Sequence, residues 1–154
     1  SFFGLSGELE QMFIGRAEHV LDSKGRLTIP SKYRAALAPG GVVTRGMGDY
    51  LIVLPMNEWL SLAHRLDDKP MLTDLAVGEL RRWLYAEAAD LELDAQGRFI
   101  LPPELREFAS ITSNVIVAGV GTHLELWTPE FWQTRRAHLM QDNEMTSLFR
   151  ALSV

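Results

Sequence analysis

The chain carries an internal duplication, and this constrains its fold more than any other feature of the sequence. Residues 22–37 read DSKGRLTIPSKYRAAL and residues 94–109 read DAQGRFILPPELREFA. At an offset of 72, five of these sixteen positions are identical: Asp22/Asp94, Gly25/Gly97, Arg26/Arg98, Pro30/Pro102 and Arg34/Arg106. Ordinary residue frequencies would give about one. Apolar positions also match in kind, Leu27 with Phe99 and Ile29 with Leu101. After a one-residue insertion the likeness continues at an offset of 73. There Val42, Gly46, Gly48, Leu51, Trp59 and Leu66 fall on Val115, Gly119, Gly121, Leu124, Trp132 and Leu139. A duplicated half-domain follows, and with it an internal pseudo-two-fold axis.

Each unit reads as strand, D-x-x-G-R turn, strand, Pro-led helix, strand, glycine turn, strand, helix. Residues 16–21 and 26–29 are apolar-rich and flank Ser23-Lys24-Gly25, which is a hairpin signal. Gly25 supplies positive φ, and Asp22 accepts backbone N–H groups across the turn. Pro30 stops the strand for want of a ladder donor, and Ser31 is placed to cap a helix through Leu37. Val42–Thr44 and Leu51–Leu54 predict a second hairpin around Gly46–Asp49. Between the units, Ala76, Leu80, Trp83, Leu84 and Ala88 recur at helical spacing, with Arg81 and Arg82 opposite. Thr128-Pro129-Glu130 starts another helix: cap, Pro, then an acid in the first turn. Met145, Leu148, Phe149 and Leu152 form a final apolar stripe. One such unit has too little core to stand alone. Two that interleave their hairpins close one barrel and remove the sheet edges.

Other classes of protein are thinned by composition. Apolar residues are 47% and charged residues 23% of 154, ordinary for a globular chain and unlike disorder or a coiled-coil rod. No apolar run approaches the roughly 18 residues of a membrane span. The absence of cysteine removes disulfides, thiolate zinc sites and cysteine nucleophiles. SFFGLSGELEQ lacks the basic start and apolar run of a secretory signal, so a cytoplasmic protein is expected. Met12 looks like a natural start, with residues 1–11 an extension, either a scar, an upstream start or a real arm. His19, His64, His123 and His138 have no metal-ligand spacing. Asp22 and Asp94 each have an arginine four residues on, which holds them ionised and denies them an acid role. No nucleophile elbow or Walker loop occurs, and Gly46-Met47-Gly48 is a lone G-x-G. No enzyme is expected.

The double D-x-x-x-R, in LDSKGRLTIPSKYR and LDAQGRFILPPELR, follows an M-F-x-G start at Met12-Phe13-Ile14-Gly15 and precedes LELW at Leu124–Trp127. This resembles the MraZ family of bacterial transcription regulators, over residues 12–152. The wider group to which it is similar is AbrB-like. The resemblance implies an α+β, mainly β fold: a duplicated swapped-hairpin β-barrel with a pseudo-two-fold axis and flanking helices. Along the chain, 1–11 are the extension, 12–72 the first repeat, 73–90 a connecting helix, and 91–154 the second repeat with the C-terminal helices. The resemblance further implies binding to double-stranded DNA at repeated promoter boxes upstream of the division and cell-wall gene cluster. It implies a ring-like homo-oligomer. The expected location is cytoplasmic and nucleoid-associated, and no cofactor, metal, membrane or small-molecule substrate is expected. The family's functional positions fall on Asp22, Lys24 and Arg26, and on Asp94 and Arg98, with Gln96 where the first copy has Lys24.

Charge bears on this. The chain is at −5 overall, which by itself disfavours a phosphate-neutralising surface. Yet residues 22–45 hold Lys24, Arg26, Lys32, Arg34 and Arg45 against Asp22, a net +4. Residues 94–118 come to −1, so only the first copy is expected to build a basic surface. A hairpin tip fits a major groove about 12 Å wide, where the Arg26 fork suits guanine or a phosphate. The expected DNA contacts are Arg16, Ser23, Lys24 and Arg26, with Gln96 and Arg98 in the second copy. Asp22, Gly25, Asp94 and Gly97 shape the turns, Asp22 either holding its turn or pairing with Arg26. Alternatively the turn is only a stable hairpin. The chain would then be a protein-interaction or ring-scaffold module, antitoxin-like, working through Phe131, Trp132, Met145 and Phe149.

Overall fold

The strands that flank each D-x-x-x-R turn do not pair with each other. In the computed structural model, which describes residues 12–69, 74–141 and 143–153, they pair with strands of the opposite half. The first half runs β1 (Arg16–Val20), β2 (Arg26–Thr28), α1 (Ser31–Leu37), β3 (Gly41–Arg45), β4 (Leu51–Pro55) and α2 (Met56–Asp67). Helix α3 (Leu75–Arg81) runs into a wider π turn at Arg82–Ala86. The second half repeats the order: β5 (Ala89–Leu91), β6 (Arg98–Ile100), α4 (Pro103–Phe108), β7 (Asn114–Gly119), β8 (Leu124–Trp127) and α5 (Pro129–Gln141). Helix α6 (Asn143–Ala151) follows. The proposed extension 1–11 and the boundary at 72/73 lie outside the described residues.

Six strands form one antiparallel sheet in the order β1-β7-β8-β4-β3-β5. Exchange of the two halves leaves that order unchanged. β2 and β6 form a separate two-stranded ribbon. The pseudo-two-fold axis passes between Ile52 and Glu125 in the sheet and between Leu27 and Phe99 in the ribbon. The fold is thus α+β with the expected duplication, interleaved strands and flanking helices.

Two expectations change. A hairpin at residues 22–26 is replaced by a corner that carries the chain from the sheet at β1 to the ribbon at β2. Gly25 and Gly97 take φ of +74° and +76° at these corners, a turn that residues with a Cβ rarely make. As a result the ladder does not close into a barrel. Among the described residues β1 and β5 are the outer strands of an open sheet, and the ribbon packs over its face instead. Leu27 and Phe99 reach down into the same core as Leu51, Val53, Val115, Val117, Leu124 and Leu126. Full burial of each such side chain stabilises by about 1.5–3 kcal/mol.

The registers also refine the internal alignment. Thr44 opposes Ile52 in the first half, and Ala118 opposes Glu125 in the second. β4 therefore maps onto β8 at an offset of 73, but β3 maps onto β7 at 74. Arg45, rather than Gly46, is the counterpart of Gly119. A Cβ at Gly119 would collide with the backbone at Phe13 and Ile14, and that bare backbone lets Phe13 bridge to Gly121 at 2.8 Å in both directions. In the other half Arg45 fills the equivalent place, 5.5 Å from the Trp83 ring and 4.3 Å from that of Phe108.

Side-chain caps start α3 and α5, whereas α1, α2 and α4 each start behind a proline that gives none. Thr128 Oγ1 accepts from Phe131 N at 3.1 Å and caps α5. Asp74 Oδ1 caps α3 by accepting from Ala76 N at 3.0 Å. Ser31, expected as a cap, is the first helical residue of α1, and Pro30 holds the cap position without a side-chain bond. No described helix is long and apolar enough to cross a membrane.

Candidate nucleic-acid interface

Each D-x-x-x-R turn is built by its aspartate. Asp22 Oδ1 accepts from Lys24 N and Arg26 N, both at 2.9 Å. Its Oδ2 accepts from Arg26 Nε at 2.6 Å. Asp94 repeats the pattern, with Gln96 N and Arg98 N at 2.9 Å and Arg98 Nε at 3.0 Å. The backbone N–H of Arg26 is the main reason that the Asp22 carboxyl lies below its usual range; the Arg26 side chain and the Lys24 N–H add to it, against a desolvation effect. Asp94 is lowered likewise, first by the Arg98 N–H. Both stay ionised in neutral solution. Asp22 therefore both holds the turn and aims the arginine. In each pair it is Nε that faces the carboxylate, and the Arg26 side chain is half-buried.

Pairing of β2 with β6 merges the two turns into one face. Arg26 opposes Ile100 and Thr28 opposes Arg98. Leu27 and Phe99 point into the core, so by strand alternation Arg26, Thr28, Arg98 and Ile100 share the outward face. Arg26 and Arg98 are diagonal neighbours, about 7–8 Å apart. Ile100 lies between the turns at 65% exposure, an apolar spot flanked by two guanidinium groups. Ser23 and Lys24 project at one corner of the ribbon, Ala95 and Gln96 at the other, all exposed. Gln96 Oε1 accepts from Arg98 Nη2 at 3.3 Å, a restraint that Lys24 cannot give Arg26.

Arg16 does not join this face. It starts β1, six residues before Asp22, about 20 Å away along an extended chain. Its guanidinium lies 5.9 Å from the Trp132 ring on α5. Nor does the basic stretch 22–45 act as one surface. Arg45 packs inward and pairs with Glu87 at 3.0 Å, and Lys32 Nζ lies 5.0 Å from the Tyr33 ring.

Sequence reasoning credited Arg34 to the first copy's basic surface and gave Arg106 no role at the site, whereas both lie beside the turns. A Cβ added to Gly25 would lie 3.1 Å from the Arg106 guanidinium carbon, and one added to Gly97 would overlap the Arg34 side chain. Each turn thus has an arginine of the other half beside it. Lys24, Arg26, Arg34, Arg98 and Arg106 stand against Asp22 and Asp94, a net +3 in a chain of −5. The exchange is one arginine for one, and each turn is left cationic: Lys24, Arg26 and Arg106 stand against Asp22, and Arg98 and Arg34 against Asp94. The signal was present, since Arg34/Arg106 is one of the five internal identities.

Among the described residues no group of three His, Asp or Glu side chains is placed to hold a metal ion. The arrangement presents a cationic two-stranded ribbon whose side-chain donors are arginine and lysine nitrogens. Such a surface suits a polyanion.

Comparison with known proteins gives consistent matches. Residues 12–79 and 84–153 match the family described as "MraZ protein, putative antitoxin-like". A protein of Herpetosiphon aurantiacus named Transcriptional regulator MraZ is 48% identical over 80% of this chain and 85% of its own. Proteins of the same name from Roseiflexus castenholzii and Lactiplantibacillus plantarum are 42% and 43% identical, each over 79% of this chain and 85% and 86% of their own.

Proposed function

The chain belongs to the MraZ family, and from that premise we propose that it is a transcription regulator that binds double-stranded DNA with the β2–β6 ribbon and its two turns. The relatives' shared name supports the first part. The shared outward face of Arg26 and Arg98 carries the second. A B-DNA major groove admits a two-stranded β-ribbon. Arg26 and Arg98 are the base-reading forks, each aimed by its aspartate. Lys24 and Ser23 contact phosphate at one corner, and Gln96 contacts the duplex at the other. Asp22, Gly25, Asp94 and Gly97 shape the turns. Arg16 lies off this face and is assigned a flanking phosphate contact.

The targets in this reading are repeated promoter boxes upstream of the division and cell-wall gene cluster, and the protein acts in the cytoplasm at the nucleoid. One ribbon makes few phosphate contacts. Linked copies raise the effective concentration at repeated boxes, so the working form is a ring-like homo-oligomer. Leu148, Phe149 and Leu152 on and just beyond α6 are 55%, 56% and 72% exposed, which supports burial against another chain. The same stripe would serve a protein partner if the chain acts as an interaction module. Chromatin immunoprecipitation in the native host separates these readings. The expected result is enrichment upstream of the chain's own operon that is lost in Arg26→Ala and Arg98→Ala. Uniform recovery across the chromosome, with a second protein co-purifying, would favour the interaction module.

A further inference from the structure

This inference rests on the DNA-binding reading and concerns residues outside both turns. Arg34 lies on α1 and Arg106 on α4, at equivalent places in the two halves. Each reaches the turn of the opposite half. The Arg106 guanidinium carbon and its two terminal nitrogens would lie 3.1–3.3 Å from a Cβ at Gly25. Arg34 Cδ, Nε and guanidinium carbon would all be overlapped by a Cβ at Gly97. A flat guanidinium rests this closely on a backbone only where no side chain intervenes. The glycine of one repeat and the arginine of the other are therefore a matched pair.

The backbone is tied in the same crossed sense. Ile29 N donates to Gly97 O at 2.9 Å, and Leu101 N donates to Gly25 O at 3.0 Å. Arg34 Nε donates to Ile29 O at 2.9 Å, so Arg34 braces both the turn and the strand that bonds it. Arg106 Nε is buried without a hydrogen-bond partner among the described residues. An unpaired buried donor is costly, and at this place the cost goes with close packing against Gly25.

We propose that Arg106 and Arg34 are positioning residues for DNA recognition that act across the repeat. Arg106 sets the Lys24–Arg26 turn, and Arg34 sets the Gln96–Arg98 turn. The planar shape of arginine is required as well as its charge.

The test uses the full chain and a duplex of its own upstream DNA. Arg106→Lys keeps the charge and loses the plane. It should weaken binding about fivefold or more. Lys24→Ala should then cost clearly less in the Arg106→Lys background than in the wild type, whereas Gln96→Ala should cost the same in both. Arg34→Lys should give the opposite pattern. Wild-type affinity in Arg106→Lys, or equal costs of Lys24→Ala in both backgrounds, would overturn the proposal. Amide resonances of the free protein give a readout without DNA. Arg106→Lys should move those of Lys24 and Gly25 and leave those of Gln96 and Gly97 in place. Unmoved Lys24 and Gly25, or movement confined to Gln96 and Gly97, overturns the crossed arrangement. Should Arg106→Lys lose its cooperative melt, Arg106→Gln replaces it with the same expectations. If the wild type fails to bind its own DNA, the DNA reading falls, and the amide pattern decides the crossed positioning separately.

Discussion

An aspartate four residues before an arginine does two jobs in each turn: one oxygen gathers backbone N–H groups, and the other holds the arginine by Nε. Asp22→Asn separates them. An amide oxygen still accepts from the backbone, but an amide nitrogen repels the Arg26 donor. DNA affinity should fall steeply in a binding titration while the melting temperature falls only slightly, by the lost carboxylate contribution. An equal loss in both would mean that the aspartate only shapes the turn. Both carboxyls are lowered from 3.8 on folding. Their stabilising contribution is then present above that value and is lost as pH falls through the lower folded value. The amide resonances of Lys24 and Arg26 should keep their positions down to about pH 4 and shift only below it. His123 behaves in a related way for another reason. Burial lowers it below 6.5, against the opposing carboxylates of Glu125 and Glu58. The unfolded chain takes up this proton first, so the contribution is whole above 6.5 and lost as pH falls through the folded value. His123→Gln should flatten the decline in melting temperature over that window, and an unchanged decline would contradict it.

At the scale of elements, the ribbon depends on two left-handed corners. Alanine at positive φ costs about 1–2 kcal/mol, so both Gly25→Ala and Gly97→Ala should lower the melting temperature. Gly97→Ala should lower it more, because its Cβ overlaps Arg34 whereas that of Gly25→Ala meets Arg106 at 3.1 Å or beyond. Equal losses measured by calorimetry would mean that the arginines move aside freely. These elements also mark the limit of sequence reading. The strands, the Gly25 turn, the β3–β4 hairpin and the Thr128 cap were legible, because each rests on local preference. The partners of β1 and β2 were not, since apolar alternation identifies a strand without naming its neighbour. The strands join different ladders, so a corner looked like a hairpin. Arg45 was assigned to the basic surface by nearness in sequence. Its place is fixed instead by Trp83, Glu87 and Phe108, none of them nearby in the chain.

At the scale of the whole molecule, two incomplete halves complete each other's sheets. β1, β3 and β4 find partners in the second half, and among the described residues β2 pairs with β6 alone. Phe99→Ala should cost about 3–5 kcal/mol and shift one single unfolding transition; two separate transitions would mean that the halves fold independently. The site looked unequal in sequence because Lys32 and Arg45 were counted with the first turn, although Arg45 pairs with Glu87 and Lys32 lies by the Tyr33 ring; the crossing of the two arginines changes which half serves each turn and leaves the charge balance as it was. Counting charge along the chain credits Arg34 to the first copy and Arg106 to the second, whereas each packs beside the other's turn. The central claim is that both turns form one DNA-binding face. Its most direct test is a fluorescence titration of the protein onto a duplex of its own upstream region and onto a scrambled duplex, across salt concentrations, with Arg26→Ala and Arg98→Ala alongside. The prediction is a preference of about tenfold or more, a steep loss of affinity with salt, and a reduced preference in both variants. Equal affinity for the two duplexes, or wild-type preference in both variants, would contradict it.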